Sequence, residues 1–226
     1  MKVTALIPAY NEADRIGETL QAVLKLDMVD QIVVIDDGST DGTTAVVKDY
    51  PVELIKLDRN RGKGGALNAG WQRYRSEIYL LLDADLKSSA IYAQDLLAPV
   101  LEKAADMTIA NFAVNQTGGA GKMGFGTAKL IARYGIWCLT GHKFASPLSG
   151  QRAVRREVLE DCGGFASGFG VEAALTIRAL RLGYRVVEVD LPMTHRATGR
   201  NLAGFCHRGR QLAAVVRELY KAWRNQ

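Results

Sequence analysis

One stretch limits the fold more than any other: Ile78-Tyr-Leu-Leu-Leu82, followed at once by Asp83-Ala84-Asp85-Leu86. An unbroken apolar run that starts with a β-branched and an aromatic residue spells a strand buried on both faces. Such a strand belongs to an α/β sheet with helices above and below it. Two carboxylates one residue apart point to the same side if the chain stays extended. Ligands of open α/β sheets bind at the carboxyl ends of strands, so this D-x-D pair is a candidate hard oxygen site for Mg²⁺ or Mn²⁺. The competing reading is an Asp-rich turn that only ends the strand.

The flanking chain repeats the same grammar. Residues 3–7 form a short strand that meets Pro8. Asn11 is expected to cap a helix with Glu12 and Asp14 in its first turn and Ile16, Leu20, Val23 and Leu24 on its inner face. A second strand over 31–35 runs into Asp36-Asp37-Gly38-Ser39, where Ser39 or Thr40 can cap a helix through Val47. A third strand covers 52–57 and the fourth 78–82. This β-α-β order predicts a doubly wound, mostly parallel sheet flanked by helices. Beyond it the patterns give a helix over 90–104, a strand over 107–111 and a helix over 129–139. A further helix opens at 168–172 and runs to Leu182, and a last strand covers 186–189.

Composition narrows the function classes. A chain of 226 residues, 48% hydrophobic and 23% charged, can bury an ample core. Its net charge of +5 suits a polyanionic substrate or a membrane surface. Nucleic-acid binding is not expected, because that calls for a denser basic patch. Cys138, Cys162 and Cys206 are odd in number and far apart, which points to reduced thiols and a cytoplasmic setting. No leader and no membrane span is expected, since the first apolar run stops at Glu12 and none approaches the length of a span.

Two strand ends carry candidate ligand groups. Asp36 and Asp37 can accept hydrogen bonds from a ribose or a base edge, or they can simply build the D-G-S-T-D turn. After the third strand, Asp58-Arg-Asn-Arg-Gly62-Lys63-Gly64-Gly65-Ala66 opens a helix to about Arg73. Glycines admit close approach of a ligand, and cations at a helix start favour phosphate. The loop is neither a Walker A sequence nor a dinucleotide fingerprint: the required earlier glycine is absent and it does not follow the first strand. A basic surface loop is the alternative.

I-P-A-Y-N-E at 7–12, D-D-G-S-T-D at 36–41, N-R-G-K-G-G-A at 60–66 and D-A-D at 83–85 together resemble the GT-A glycosyltransferases, especially family 2. The resemblance implies a nucleotide-sugar donor held by the first half of the chain. It implies that Pro8, Ala9, Tyr10, Glu12 and Asp37 hold base and ribose, that Lys63 approaches base or diphosphate, and that Asp83 meets the ribose. Asp85 would hold the metal, and Ala84 and Gly150 count among the substrate-binding positions. The S-G-Q-R-A-V-R-R-E-V-L run at 149–159 is similar to polyprenyl-phosphate sugar synthases. G-F-G-V-E at 168–172 and T-H-R-A-T-G-R-N-L at 194–202 are similar to glucosyl-3-phosphoglycerate synthases. By that likeness His195 is the second metal ligand, and Glu172 is the catalytic group facing donor sugar or acceptor. Arg196 and Arg200 would contact substrate.

One departure bears on the acceptor. The phosphoglycerate synthases have an arginine that grips the acceptor phosphate just before the helix at 128–139. Here Gly124-Phe125-Gly126-Thr127 stand there, with Lys122 and Lys129 nearby. Arg133, Arg152, Arg196 and Arg200 are the other cations expected to face an acceptor phosphate. The glycine-rich run at 118–126 is either a lid or a connection.

Near the end, Leu212, Val215, Val216, Leu219, Tyr220 and Trp223 recur at helical spacing among arginines. This amphipathic helix either lies on an anionic membrane or docks on its own domain or on a second subunit. The expected organisation is a single GT-A domain over 1–226, with a donor half (1–110), an acceptor half (111–200) and the terminal helix (201–226). The expected reaction is metal-dependent glucose transfer from UDP-glucose, with GDP-sugars second, to 3-phosphoglycerate or a similar phosphorylated acceptor. A polyprenyl phosphate is the alternative acceptor. A sugar-phosphate nucleotidyltransferase would want its basic glycine loop after the first strand, where Ala9-Tyr10-Asn11-Glu12 stand; it stays open, as does a non-catalytic binding module.

Overall fold

The computed structural model describes residues 1–112, 125–166 and 170–193, with Ala213, Val216, Arg217, Leu219, Tyr220, Lys221, Trp223 and Arg224. The first four strands are parallel and run from one edge to the middle of the sheet: β1 (Val3–Ala9), β2 (Gln31–Asp36), β3 (Glu53–Lys56) and β4 (Ile78–Leu81). Three more follow: β5 (Met107–Asn111), β6 (Arg152–Arg155) and β7 (Val186–Asp190). The sheet order is β3-β2-β1-β4-β6-β5-β7, with β6 antiparallel to both its neighbours and β5 parallel to β7. The helices are α1 (Ile16–Val23), α2 (Thr43–Lys48), α3 (Gly62–Arg73), α4 (Gln94–Leu101), α5 (Phe125–Thr140), α6 (Arg156–Asp161) and α7 (Val171–Arg181).

Period-two alternation sorts the central strands between two cores. Val3, Ala5, Ile7 and Ala9 of β1 pack with Ile16 and Leu20 of α1 and Leu97 of α4. Leu6 points the other way, toward Leu67 of α3, Val158 of α6 and Leu175 of α7. Leu6, Ile7 and Leu80 are fully buried. Each is worth roughly 2 kcal/mol of transfer free energy. A smaller cluster of Ile109, Ile136, Phe144 and Ile177 ties α5 to α7. The edge strands β3 and β7 carry exposed or half-buried acids and lysine, which discourages edge pairing.

The local caps differ from expectation. Asn11 does not cap α1, which begins at Ile16. It adopts a positive φ of 56° and bonds the neighbouring loop instead: its N–H donates to Ser39 Oγ, and its side-chain oxygen accepts from the Thr40 N–H. Ser39 and Thr40 are thereby occupied, and Asp41 accepts from the Thr43 N–H at the start of α2. The helix expected over 90–104 is a 3₁₀ helix, Lys87–Ala93, continued by α4. The strand β6 was not foreseen.

Candidate active site

The carboxyl ends of β1, β2 and β4 open on one cleft, and the loops there are locked together. The Ala9 carbonyl accepts the Asp37 N–H at 2.8 Å. Asp37 in turn accepts the Arg61 N–H at 2.7 Å through Oδ1, which ties the β2 loop to the start of α3. Gly38 makes that approach possible: its φ is +74°, and a Cβ there would sit 2.8 Å from the Arg59 backbone. Tyr10 is 46% exposed at the rim, and Pro8 is half-buried. Glu12 pairs with Arg15 at 2.6 Å.

Asp36 needs correcting. It is fully buried, with Oδ1 accepting the Ser39 N–H at 2.8 Å and Oδ2 bonded to the Thr44 hydroxyl. It braces the loop that presents Asp37 and does not face the cleft.

The centre of the cleft is an ion cluster. Lys63, in the first turn of α3, lies 2.6 Å from Asp83 and 3.1 Å from Glu172 of α7. Burial pulls the ammonium pKa down, but Asp83 and Glu172 more than offset this, so the net shift is upward. The other Asp83 oxygen accepts from Gln151 Nε2 at 2.6 Å. Gly150 roofs the cluster: a Cβ there would meet Lys63 Nζ at 2.2 Å and Asp83 at 3.1 Å. Asn68 of α3 pins the segment before α7, donating to the Phe165 carbonyl and accepting the Phe165 N–H. Gly64 lets that segment close in, since its Cβ would lie 2.0 Å from the Ala166 oxygen. Of the expected residues, Lys63, Asp83, Gly150 and Glu172 therefore meet. Gln151, Arg15 and Asn68 escaped the sequence reading, although Gln151 lies inside the S-G-Q-R run.

The chain does not stay extended through Asp83-Ala84-Asp85. It turns at Ala84 and Asp85, held by the Thr19 hydroxyl, which donates to the Ala84 carbonyl and accepts the Lys87 N–H, both at 2.8 Å. Asp83 turns to Lys63 and Gln151, whereas Asp85 lies half-exposed in the field of Arg15, whose pKa is raised chiefly by Glu12 and further by Asp85. Among the described residues no three His, Cys, Asp or Glu side chains could hold a metal by themselves. A cation at Asp85 thus needs further oxygen or nitrogen ligands. His195, Arg196 and Arg200, and the 118–124 part of the glycine-rich run, lie outside the described residues.

The segment leading to Gly150 is braced from behind. Glu188 of β7 accepts the N–H groups of Ala145 and Ser146, both at 2.6 Å. Lys129 of α5 reaches the Ser146 hydroxyl at 3.3 Å, and Arg133 is exposed one turn on. Burial lowers the Lys129 pKa, with Arg133 adding to the effect. Arg152 is another correction: it is 1% exposed and faces no substrate. Its guanidinium donates to the carbonyls of Pro147 and Ser149 and to the Thr176 hydroxyl of α7, each at 2.9 Å.

A mostly parallel seven-stranded sheet flanked by helices, with acids and a lysine at its carboxyl edge, is an architecture of GT-A type. Residues 4–163 match glycosyl transferase family 2, and the chain belongs to that family; it is a glycosyltransferase. This removes the nucleotidyltransferase and binding-module alternatives. The glucosyl-3-phosphoglycerate synthase of Mycolicibacterium paratuberculosis is 30% identical over 236 residues, covering 95% of this chain and 71% of that protein. An undecaprenyl-phosphate mannosyltransferase from Micrococcus luteus is 29% identical, covering 89% of this chain and 87% of its own length. A crystal structure of the Mycobacterium tuberculosis glucosyl-3-phosphoglycerate synthase with phosphoglyceric acid superposes with a TM-score of 0.79. It is 25% identical and covers 98% of this chain and 79% of that one.

Proposed function

We propose that the enzyme transfers glucose from UDP-glucose to a small phosphorylated acceptor, 3-phosphoglycerate first among candidates, with help from Mg²⁺ or Mn²⁺. The observation that carries this reading is the Lys63–Asp83–Glu172 cluster at the sheet's carboxyl edge, on a chain whose relatives include phosphoglycerate glucosyltransferases. The donor base and ribose lie against Pro8, Ala9, Tyr10 and Asp37, with Asp37 accepting from the uracil imide. Lys63 is held charged beside the diphosphate. Asp85, joined by His195 and the diphosphate oxygens, would hold the cation, which supplies charge neutralisation to the leaving nucleoside diphosphate. The M. tuberculosis synthase has itself been solved with Mn²⁺ and UDP-glucose. An acceptor hydroxyl attacks the anomeric carbon as the carbon–oxygen bond to the β-phosphate breaks. Glu172 holds that hydroxyl and can take its proton. Lys129, Arg133, Arg196 and Arg200 are the cations assigned to the acceptor phosphate.

The likeness to the undecaprenyl-phosphate mannosyltransferase over 87% of its length favours a polyprenyl phosphate as the second reading. The test offers UDP-glucose and GDP-mannose with Mn²⁺ to 3-phosphoglycerate, glycerate and undecaprenyl phosphate in parallel. Product mass and nucleotide release are the readouts. Transfer from UDP-glucose to 3-phosphoglycerate alone is expected. Transfer only to the lipid, or only from GDP-mannose, would overturn the first reading.

A further inference from the structure

Two helices outside the cleft expose apolar stripes of the same spacing. On α5, Leu130, Tyr134 and Trp137 recur at i, i+4 and i+7 and are 63%, 62% and 42% exposed. In the terminal helix, Val216, Tyr220 and Trp223 repeat that spacing and are 47%, 57% and 60% exposed. Each stripe contains an aromatic pair, with ring centroids 5.6 Å apart for Tyr134–Trp137 and 6.0 Å for Tyr220–Trp223. The two helices meet at one seam. Leu219 packs over Gly135, where a Cβ would stand 2.5 Å from its methyl group, and it joins the Ile109–Ile136–Phe144–Ile177 cluster. The residues on either side of the seam stay uncovered among the described residues.

The charge around these stripes is mostly positive. Between positions 107 and 156 the sequence has no Asp or Glu, and after Asp190 the only acid is Glu218. Lys143 stands 5.2 Å above the Trp137 ring, and Arg217, Lys221 and Arg224 are exposed on the terminal helix. Isolated surface leucines need no explanation, but contiguous aromatic and aliphatic stripes on adjoining helices do. Trp and Tyr have an apolar body and a polar tip, which suits the boundary between lipid and water. A cationic rim then attracts anionic head groups.

We infer that this two-helix face docks on an anionic bilayer surface, with α5 and the terminal helix lying in its plane. A second copy fits the face less well, because a two-fold contact would set cationic rim against cationic rim. The inference is independent of the acceptor. It gives the lysine-bearing side of α5 a place between bilayer and cleft, since Lys129 reaches the loop that leads to Gly150.

The experiment is vesicle flotation of the full chain with phosphatidylcholine, with and without phosphatidylglycerol. Binding is expected to rise about tenfold or more with the anionic lipid and to fall as salt is raised. The double substitution Tyr134→Ser and Trp137→Ser should abolish flotation. Its melting temperature and nucleotide release with a water-soluble acceptor should stay at wild-type levels. No flotation with anionic vesicles, or flotation unchanged by the double substitution, would overturn the proposal. So would a wild-type dimer in sedimentation equilibrium that the double substitution turns into a monomer. Because turnover with a soluble acceptor is read separately, failure of docking and failure of the transferase reading are distinguishable.

Discussion

The smallest change with the clearest consequence is one methyl group at Gly150. A Cβ there would stand 2.2 Å from Lys63 Nζ, so the ammonium must leave its place between Asp83 and Glu172. Gly150→Ala is expected to lower kcat/KM about a hundredfold, the scale of losing one preorganised charge at a reacting centre. Its melting temperature should fall little, and a variant with full activity would remove Lys63 from the mechanism. The Lys63 charge is not the group that sets a pH limit near neutrality. Its folded pKa is raised, so the pairing is complete below the ordinary lysine value and is lost only as pH rises through the shifted one. Asp85 is the carboxylate proposed for the cation. Asp85→Ala should abolish Mn²⁺-dependent binding of UDP-glucose in calorimetry while leaving the unfolding midpoint in place. Unchanged affinity would place the cation elsewhere. Asp37→Ala removes the acceptor proposed for the uracil imide, so about 1–3 kcal/mol of UDP-glucose affinity should be lost in calorimetry, and it also leaves the Arg61 N–H without its partner.

At the scale of elements, what could be read from sequence was periodic, and what could not was set by distant partners. The apolar run of β4 and the repeated β-α-β order announced a buried parallel core, and α3 and α7 opened where glycine and acid patterns placed them. β6 hid because Arg152-Ala-Val-Arg155 has charged ends, yet Arg152 is buried there by bonds to Pro147, Ser149 and Thr176. No local pattern reveals that a guanidinium will be satisfied by carbonyls from a neighbouring loop. The same holds for Asp36, whose donors lie in the turn it braces, and for the D-A-D segment, where Thr19 turns the chain. Arg152 thus links the loop before Gly150 to the helix that carries Glu172. Removing it strands buried acceptors, and Arg152→Met should cost about 2–4 kcal/mol of stability by denaturant titration. Arg152→Lys should recover only part, since an ammonium cannot span the same fork. Full stability of Arg152→Met would mean that loop and helix are held by other contacts.

For the whole molecule, the question is whether the first and second halves of the chain are one folding unit. The sheet argues that they are. β6, from the second half, is inserted directly beside β4 and pairs with it from Ile78↔Arg155 to Leu81↔Arg152. One core cluster contains Leu6 and Tyr79 from the first half together with Val154, Val158 and Leu175 from the second. Splitting the halves would bare that cluster and break a central ladder, not an edge. We therefore expect a single cooperative transition. Trp71 on α3 reports the first half through its bond to Asn68, and Trp137 on α5 reports the second. Two variants, each keeping one of these tryptophans with the others changed to phenylalanine, are unfolded in urea by fluorescence and circular dichroism. In each variant the fluorescence and dichroism midpoints should coincide. A fluorescence transition that precedes the loss of ellipticity in either variant would show that half melting by itself, and the chain would then be two units sharing a cleft.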